Sequence, residues 1–350
     1  MKYIYIFYAI FCFTRCSVNN NSTDTDNTNN NKMNPTTYEW IPTECAVFNY
    51  PMKIIKADFI FEDGNTIKIP DSKMIYNGWG KTGSIHLNEE VLIPIPAKLY
   101  IKWFSYTEDK FFEETFNLPK DKMISLFNEG FISPLTNSKY TYNKIIVGLA
   151  PGGTVVVWLS GDNINKQVAI FQAKIANVEW STFLPSTDIT RKEYIDESLK
   201  QIFEKEDFET LKKNGIPIGL WNKKYVTKSL WQPVIVTTNN PSNIFISYFN
   251  AESEYSDLSK KNVMEAKERP YPKKAIVEWE TNSKNKYHAE INFSEDEIYS
   301  AFNKLIENKE NATIKLQFLI NDAVNSLTVA LSNDSNIINL KKCIIDINEF

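Results

Sequence analysis

The chain has 350 residues, 43% hydrophobic and 13% aromatic, enough to bury the cores of two ordinary domains. Its net charge of −4, with no block of Lys or Arg, argues against nucleic acid as a partner. Two histidines, His86 and His288, and four cysteines without a C-x-x-C pair disfavour a histidine base, a zinc site or a redox dithiol, so no cofactor or metal is expected.

Residues 1–16, MKYIYIFYAIFCFTRC, set Lys2 before an apolar run from Tyr3 to Phe13. A membrane-spanning helix takes about 20 residues, so this shorter run has the form of a signal-peptide h-region. It ends at Cys16 and resembles a bacterial lipoprotein signal, which makes Cys16 the expected lipidation site. Arg15 stands where such signals usually carry a small residue, and an ordinary cleaved signal or an unprocessed apolar tail is the alternative. Residues 17–37, SVNNNSTDTDNTNNNKMNPTT, are almost devoid of apolar side chains and are expected to be a disordered tether with a reach of about 25 Å.

From residue 38 to 189 the pattern predicts a first β-rich domain. Strands are expected at about 53–61, 98–104, 110–117, 142–149, 154–160 and 167–176. A helix over KDKMISLFNE follows Pro119 and stops at Gly130, the asymmetry expected of helix ends. Residues 190–219 form a helical connector. Ile195, Leu199, Ile202 and Phe203 share one face and charges of both signs cover the rest, as on a solvated helix.

Residues 220–350 read as a second, diverged copy. PAKLYIKWF at 96–104 corresponds to PKKAIVEWE at 272–280, and VVVWLSGD at 155–162 to LTVALSND at 327–334. Lys110 is matched with Lys286, Phe111 with Tyr287, Phe127 with Phe302, and Trp40 with Trp221 as the opening of each half. Ser294 and Glu297 form an expected capping box before Ile298, Ala301, Phe302 and Leu305. Further strands are expected at about 232–248, 313–320, 325–331 and 336–346. The fold class is α+β: two related, mainly antiparallel β-sheet domains, each a ββαβββ core with one helix, joined by the charged helical segment. Cys45 and Cys343 are read as separate thiols, with a disulfide between them as the alternative.

Three clusters invite a functional reading. VGLAPGGTVVVWLSG at 147–161 has a phosphate-loop composition, but a strand follows Pro151, Gly152 and Gly153 where a phosphate loop needs a helix. A turn between buried strands is the expectation. NGWGKTGSIH at 77–86 sets Trp79 and Gly80 close to His86, either as an aromatic contact for a partner or sugar or as a loop packing its tryptophan on the core. Ser105 and Glu108 end a strand without a positioned base, and Glu113 and Glu114 are adjacent, hence on opposite faces. The candidate binding residues are therefore Trp79, Gly80, His86, Glu108, Pro151, Gly152 and Gly153, with none catalytic.

Taken together, Trp40, GWG at 78–80, PAKLYIKWFSYTEDKFF, FNLP, VGLAPGGTVVVWLSGD with FQA, and TRKEYIDE through NGIPIGLW to WQP resemble the bacterial envelope proteins called domain of unknown function 2931. The resemblance implies a lipoprotein-like address, periplasm-facing or at the cell surface, and no established reaction. It also implies, for some members, immunity against secreted toxins. The expectation is thus an exported, lipid-anchored, non-enzymatic binding module whose partner is a protein, in the sharper form a toxin. A surface glycan- or ligand-binding protein is the alternative, and a hydrolase has the least support.

Overall fold

The computed structural model describes residues 36–350 except 86–91, 186–187, 204–208, 210, 212, 260–263, 308–312 and 322–325. Alternating apolar side chains in Met52–Ile60, Lys98–Ser105 and Lys110–Asn117 pair these strands antiparallel in one sheet of the first half. A second sheet runs in the spatial order Ile164–Gln172, Thr154–Gly161, Lys144–Ala150, Ile41–Ala46. The inward rows Ile54, Phe59, Leu99, Ile101 and Trp103 meet Ile145, Val147, Leu149, Val155 and Val157 across one core. The helix Lys120–Glu129 adds Met123 and Phe127 to that core.

The second half repeats this plan. Lys228–Val236, Ile314–Asn321, Ser326–Ser332 and Ile337–Leu340 form one sheet with Lys267–Pro270 at its edge; Asn240–Tyr248, Pro272–Glu280, Lys286–Asn292 and Ile344–Glu349 form the other with Ser253–Asp257. The helix Glu295–Glu307 buries Ile298, Ala301, Phe302 and Leu305. The chain is therefore an α+β fold of two similar, mainly antiparallel units, each with an embedded helix, linked by a helical segment.

Register corrects three of the sequence matches. Ile41 and Pro42 lie opposite Lys144 and Ile145, while Gln232 and Pro233 lie opposite Lys315 and Leu316. Trp40 therefore corresponds to Trp231, not Trp221. Trp40 Nε1 donates to Ile93 O at 3.3 Å and Trp231 Nε1 to Arg269 O at 3.2 Å, so the repeat holds at the level of single hydrogen bonds. Trp221 packs in the first core instead. Trp103 faces Phe112 and Trp279 faces Tyr287, so Tyr287 matches Phe112 and not Phe111. The first hairpin is one residue longer at its tip, which displaces the simple alignment of Lys110 with Lys286.

Each half also contains one parallel pair, Ile41–Ala46 with Lys144–Ala150 and Lys228–Val236 with Ile314–Asn321. Glu297 accepts from the backbone N–H groups of Lys341 and Lys342 at 2.8 Å, so its carboxylate serves a neighbouring loop. The capping box forms in the connector: Glu193 N donates to Thr190 Oγ1 at 3.3 Å and Thr190 N to Glu193 Oε2 at 2.9 Å, at the start of the helix Arg191–Lys200. Cys45 and Cys343 are separate free thiols, and burial pushes each up to about 12.

Candidate functional site

Glu108 and the Pro151–Gly153 turn, far apart in sequence, come together at the tip of the Lys98–Ser105/Lys110–Asn117 hairpin. Ser105 Oγ donates to Glu108 Oε2 at 2.8 Å and Gly152 N donates to Glu108 Oε1 at 3.0 Å. Both carboxylate oxygens are thus committed to holding the tip against the turn. Gly152 and Gly153 have φ of +80° and +76°, and the strands on either side pair directly, Ala150 opposite Thr154. The turn expectation holds for a steric reason, since L-residues rarely adopt this conformation.

The segment following the connector spans these motifs. Ile218 lies over Gly152, where an added Cβ would stand 3.1 Å from its Cγ2. Gln172 Nε2 donates to Gly152 O, and Asn222 Nδ2 donates to Gln172 Oε1 at 2.9 Å. Trp221 is buried edge-on to Tyr50, with ring centroids 5.3 Å apart, and lies 6.4 Å from Trp79.

Trp79 itself is packed edge-on to Trp158 at 4.7 Å and 87°. Its indole N–H is buried and has no hydrogen-bond partner among the described residues. Gly80 is buried with φ +69° beneath Ala251 of the second half. The half-buried ring is therefore held edge-on against Trp158. His86 and Cys16 lie outside the described residues.

The same loop covers the edge strand Ile41–Ala46. Gly83 N donates to Thr43 Oγ1 at 3.0 Å and Ser84 N to Glu44 Oε1 at 2.9 Å. Burial pushes the Glu44 carboxyl above the ordinary range, against the pull of Ser84 and Lys73.

On its other side the hairpin tip is clamped to the connector helix. Arg191 Nε donates to Asp109 Oδ1 at 2.5 Å and its Nη2 to Asp109 O at 2.8 Å. The guanidinium lies 5.2 Å from the Phe111 ring and 5.6 Å from Trp180, within the range of cation–π attraction. Tyr106 and Tyr194 join their hydroxyls at 3.1 Å.

Between the tip, the helix and residues Leu211, Gly215 and Ile216 opens a cleft of about 390 Å³. Ile195, Leu199, Leu211 and Ile216 form apolar walls, while Lys192, Asp196 and Asp109 supply charge. Thr107 Oγ1 is buried there without a hydrogen-bond partner among the described residues. Such an apolar recess with a few polar groups is the form of a binding pocket. Sequence reasoning placed its apolar helix face correctly but missed the cleft, because three separated segments build it. The available signal was the placement of Lys192 and Asp196 beside Ile195 and Leu199 on the connector.

Residues 24–219 match the model of a family described as protein of unknown function (DUF2931). The match contains the hairpin tip, the Pro-Gly-Gly turn, the tryptophan loop and every residue lining the cleft. No curated protein and no solved structure matches the chain.

Proposed function

The chain belongs to the DUF2931 family and with it to the bacterial cell envelope, and from that premise we propose that it is a non-enzymatic binding module taking a protein partner in the Tyr106–Ile216 cleft. A lipid on Cys16 holds the module at a membrane, and residues 17–37 give it reach. In the narrower form the partner is a secreted toxin and the module an immunity protein.

The cleft carries the proposal. Its frame is over-determined by Glu108 on one side and the Asp109–Arg191 clamp on the other, so it is pre-organised, and pre-organisation lowers the entropy cost of binding. The apolar walls and mixed-charge rim suit a protein surface with an apolar anchor and complementary charges. The commitment of both Glu108 oxygens to structure supports the non-enzymatic reading, and the packing of Trp79 on Trp158 counts against the glycan alternative.

The test reverses the rim charges in the tethered protein. The pair Lys192→Glu with Asp196→Lys lowers partner capture from its own cells at least about tenfold with an unchanged unfolding midpoint; equal capture refutes the cleft as the site. In the same cells Cys16→Ser abolishes metabolic labelling with a lipid probe, and undiminished labelling refutes the anchor.

A further inference from the structure

Both halves contain the same hairpin turn and use it differently. In the first half, Phe61 N donates to Asn65 O at 2.9 Å and Gly64 N to Phe61 O at 3.1 Å. Gly64 takes the corner at φ +86°, with nothing within 4 Å of an added Cβ. In the second half, Tyr248 N donates to Glu252 O at 2.9 Å and Ala251 N to Tyr248 O at 3.0 Å, and the corner is Ala251 at φ +66°. The registers agree, since Ile60 faces Lys98 and Ser247 faces Lys274. Glycine is the relaxed residue at such a corner, yet the second half places a methyl there.

That methyl sits on Gly80. A Cβ on Gly80 would stand 2.3 Å from Ala251 Cβ, so each side of the contact requires the other to be small. The rest of the tip is held group by group. Trp158 Nε1 donates to Asn250 O at 3.1 Å. Gln167 N donates to Glu252 Oε1 at 3.2 Å, and Lys166 Nζ lies 3.3 Å from the same oxygen. Asn165 N donates to Ser253 Oγ at 2.8 Å, whose hydroxyl donates to Asn163 O at 2.7 Å.

The N–H groups of Asn165 and Gln167 belong to Ile164–Gln172, the edge strand of its sheet. Here the main-chain donors of an exposed strand edge are met by the side-chain oxygens of Glu252 and Ser253 rather than by an added strand, so the contact reads the residue types of the tip as well as its shape. At the position of Trp158 the second half carries Ala330, read from Lys144 opposite Ser160 and Lys315 opposite Ser332. The aromatic side of the contact therefore exists in the first half alone.

We propose that the face formed by Gly80, Trp158, Asn165 and Gln167 is a recognition site for a β-hairpin tip, and that Tyr248–Ser253 is a built-in ligand holding it closed. The external partner it fits is a protein presenting a hairpin tip with a small residue at the left-handed corner, followed by a carboxylate and a hydroxyl. Such a tip competes with the second half for the face. This surface is separate from the cleft, and the proposal does not rest on the cleft's function.

The test uses the full chain with Ala251→Arg, which ejects the internal tip, and a fluorescent cyclised peptide of residues 246–255, ISYFNAESEY. The variant shows tryptophan fluorescence newly accessible to acrylamide and binds the peptide at least about tenfold more tightly than the native chain. Adding Gly80→Val to it removes the binding. Gly80→Val alone, an opening from the opposite side that stays measurable if the first variant does not fold, gives exposed tryptophan without peptide binding. The proposal is overturned if the opened variant does not bind the peptide, if the native chain binds it equally well, or if Gly80→Val alone binds it. It is also overturned if the tryptophans stay protected in both Ala251→Arg and Ala251→Arg with Glu252→Arg.

Discussion

Replacing Arg269 by methionine lowers the unfolding free energy of the chain by about 3–5 kcal/mol, the range for breaking a buried ion pair by removing one partner. The Arg269 side chain is only 2% exposed. Its Nε donates to Glu254 Oε2 at 2.9 Å, and its Nη1 donates to Trp231 O at 2.7 Å and Glu265 O at 2.8 Å. The guanidinium also lies 5.5 Å from the Trp231 ring. Methionine fills some of the volume but takes the guanidinium from Glu254, which keeps its hydrogen bonds from Lys267 at 2.6 Å and Tyr248 at 2.8 Å, and takes the Arg269 donor from the carbonyl groups of Trp231 and Glu265. The corresponding residue of the first half is Ile93, 3% exposed, which shows that the slot accepts an apolar chain when no carboxylate faces it. Changing Glu254→Leu together with Arg269→Met therefore recovers most of the loss, as measured by chemical denaturation; an undiminished loss in the double variant refutes this account.

The same pair sets an acid limb. Burial alone raises the Glu254 carboxyl, but the hydrogen bond and charge of Arg269, reinforced by Lys267, outweigh it and hold the group at about 2. Unfolded glutamate titrates at about 4.3, so the unfolded chain binds more protons between these values. The contribution, roughly 3 kcal/mol, is fully present above the unfolded pKa and is lost as pH falls towards 2. In Arg269→Met this limb flattens, and a limb as steep as that of the native chain counts against the assignment.

Replacing Trp158 by alanine is expected to cost about 3–5 kcal/mol, as for other large aromatic truncations in cores. Trp158 is fully buried yet lies on the outer face of its sheet, packed with Cys45, Ile146 and Val156. Its ring meets Trp79 edge-on and its N–H donates to Asn250 O in the second half. The loss therefore falls on the joint as well as on the first half, and protease sensitivity rises within 215–228 together with the fall in stability. Trp158→Phe keeps much of the packing but not the hydrogen bond, and its cost lies between the two. An alanine variant as stable and as protease-resistant as the native chain refutes the role given to this residue.

Much of the architecture is legible in local pattern. The alternation at 98–104 and 110–117 and the Pro119/Gly130 frame place the first hairpin and helix within a residue of Lys98–Ser105, Lys110–Asn117 and Lys120–Glu129. These features depend on neighbours within a few residues, through side-chain period and φ preference. The duplication is legible too, because VVVWLSGD and LTVALSND preserve the same inward and outward positions.

The correspondence of Trp40 with Trp231 was hidden, because only the opposing strand reveals which tryptophan fills the equivalent slot. The parallel pairing of Ile41–Ala46 with Lys144–Ala150 was hidden for the same reason: a strand's pattern states which face is buried, not which strand lies beside it or in what direction. Glu108 and the Pro-Gly-Gly turn were recognisable as candidates, but their hydrogen bond joins residues 44 positions apart. The cleft depends on how one helix docks on a hairpin tip, through Arg191 and Asp109.

Residue type and spacing thus settled most elements and the existence of the repeat, through short-range sterics and apolar period, but not the strand Ile41–Ala46, nor the division of 232–248 between Lys228–Val236 and Asn240–Tyr248 or of 336–346 between Ile337–Leu340 and Ile344–Glu349. Long-range contact settled the use of those parts: Trp79 turned inward onto Trp158, Ala251 seated on Gly80, and Arg269 paired with Glu254. Each of these requires two surfaces to meet at ångström separation, and the one-dimensional pattern leaves that meeting open because many pairings bury the same apolar rows.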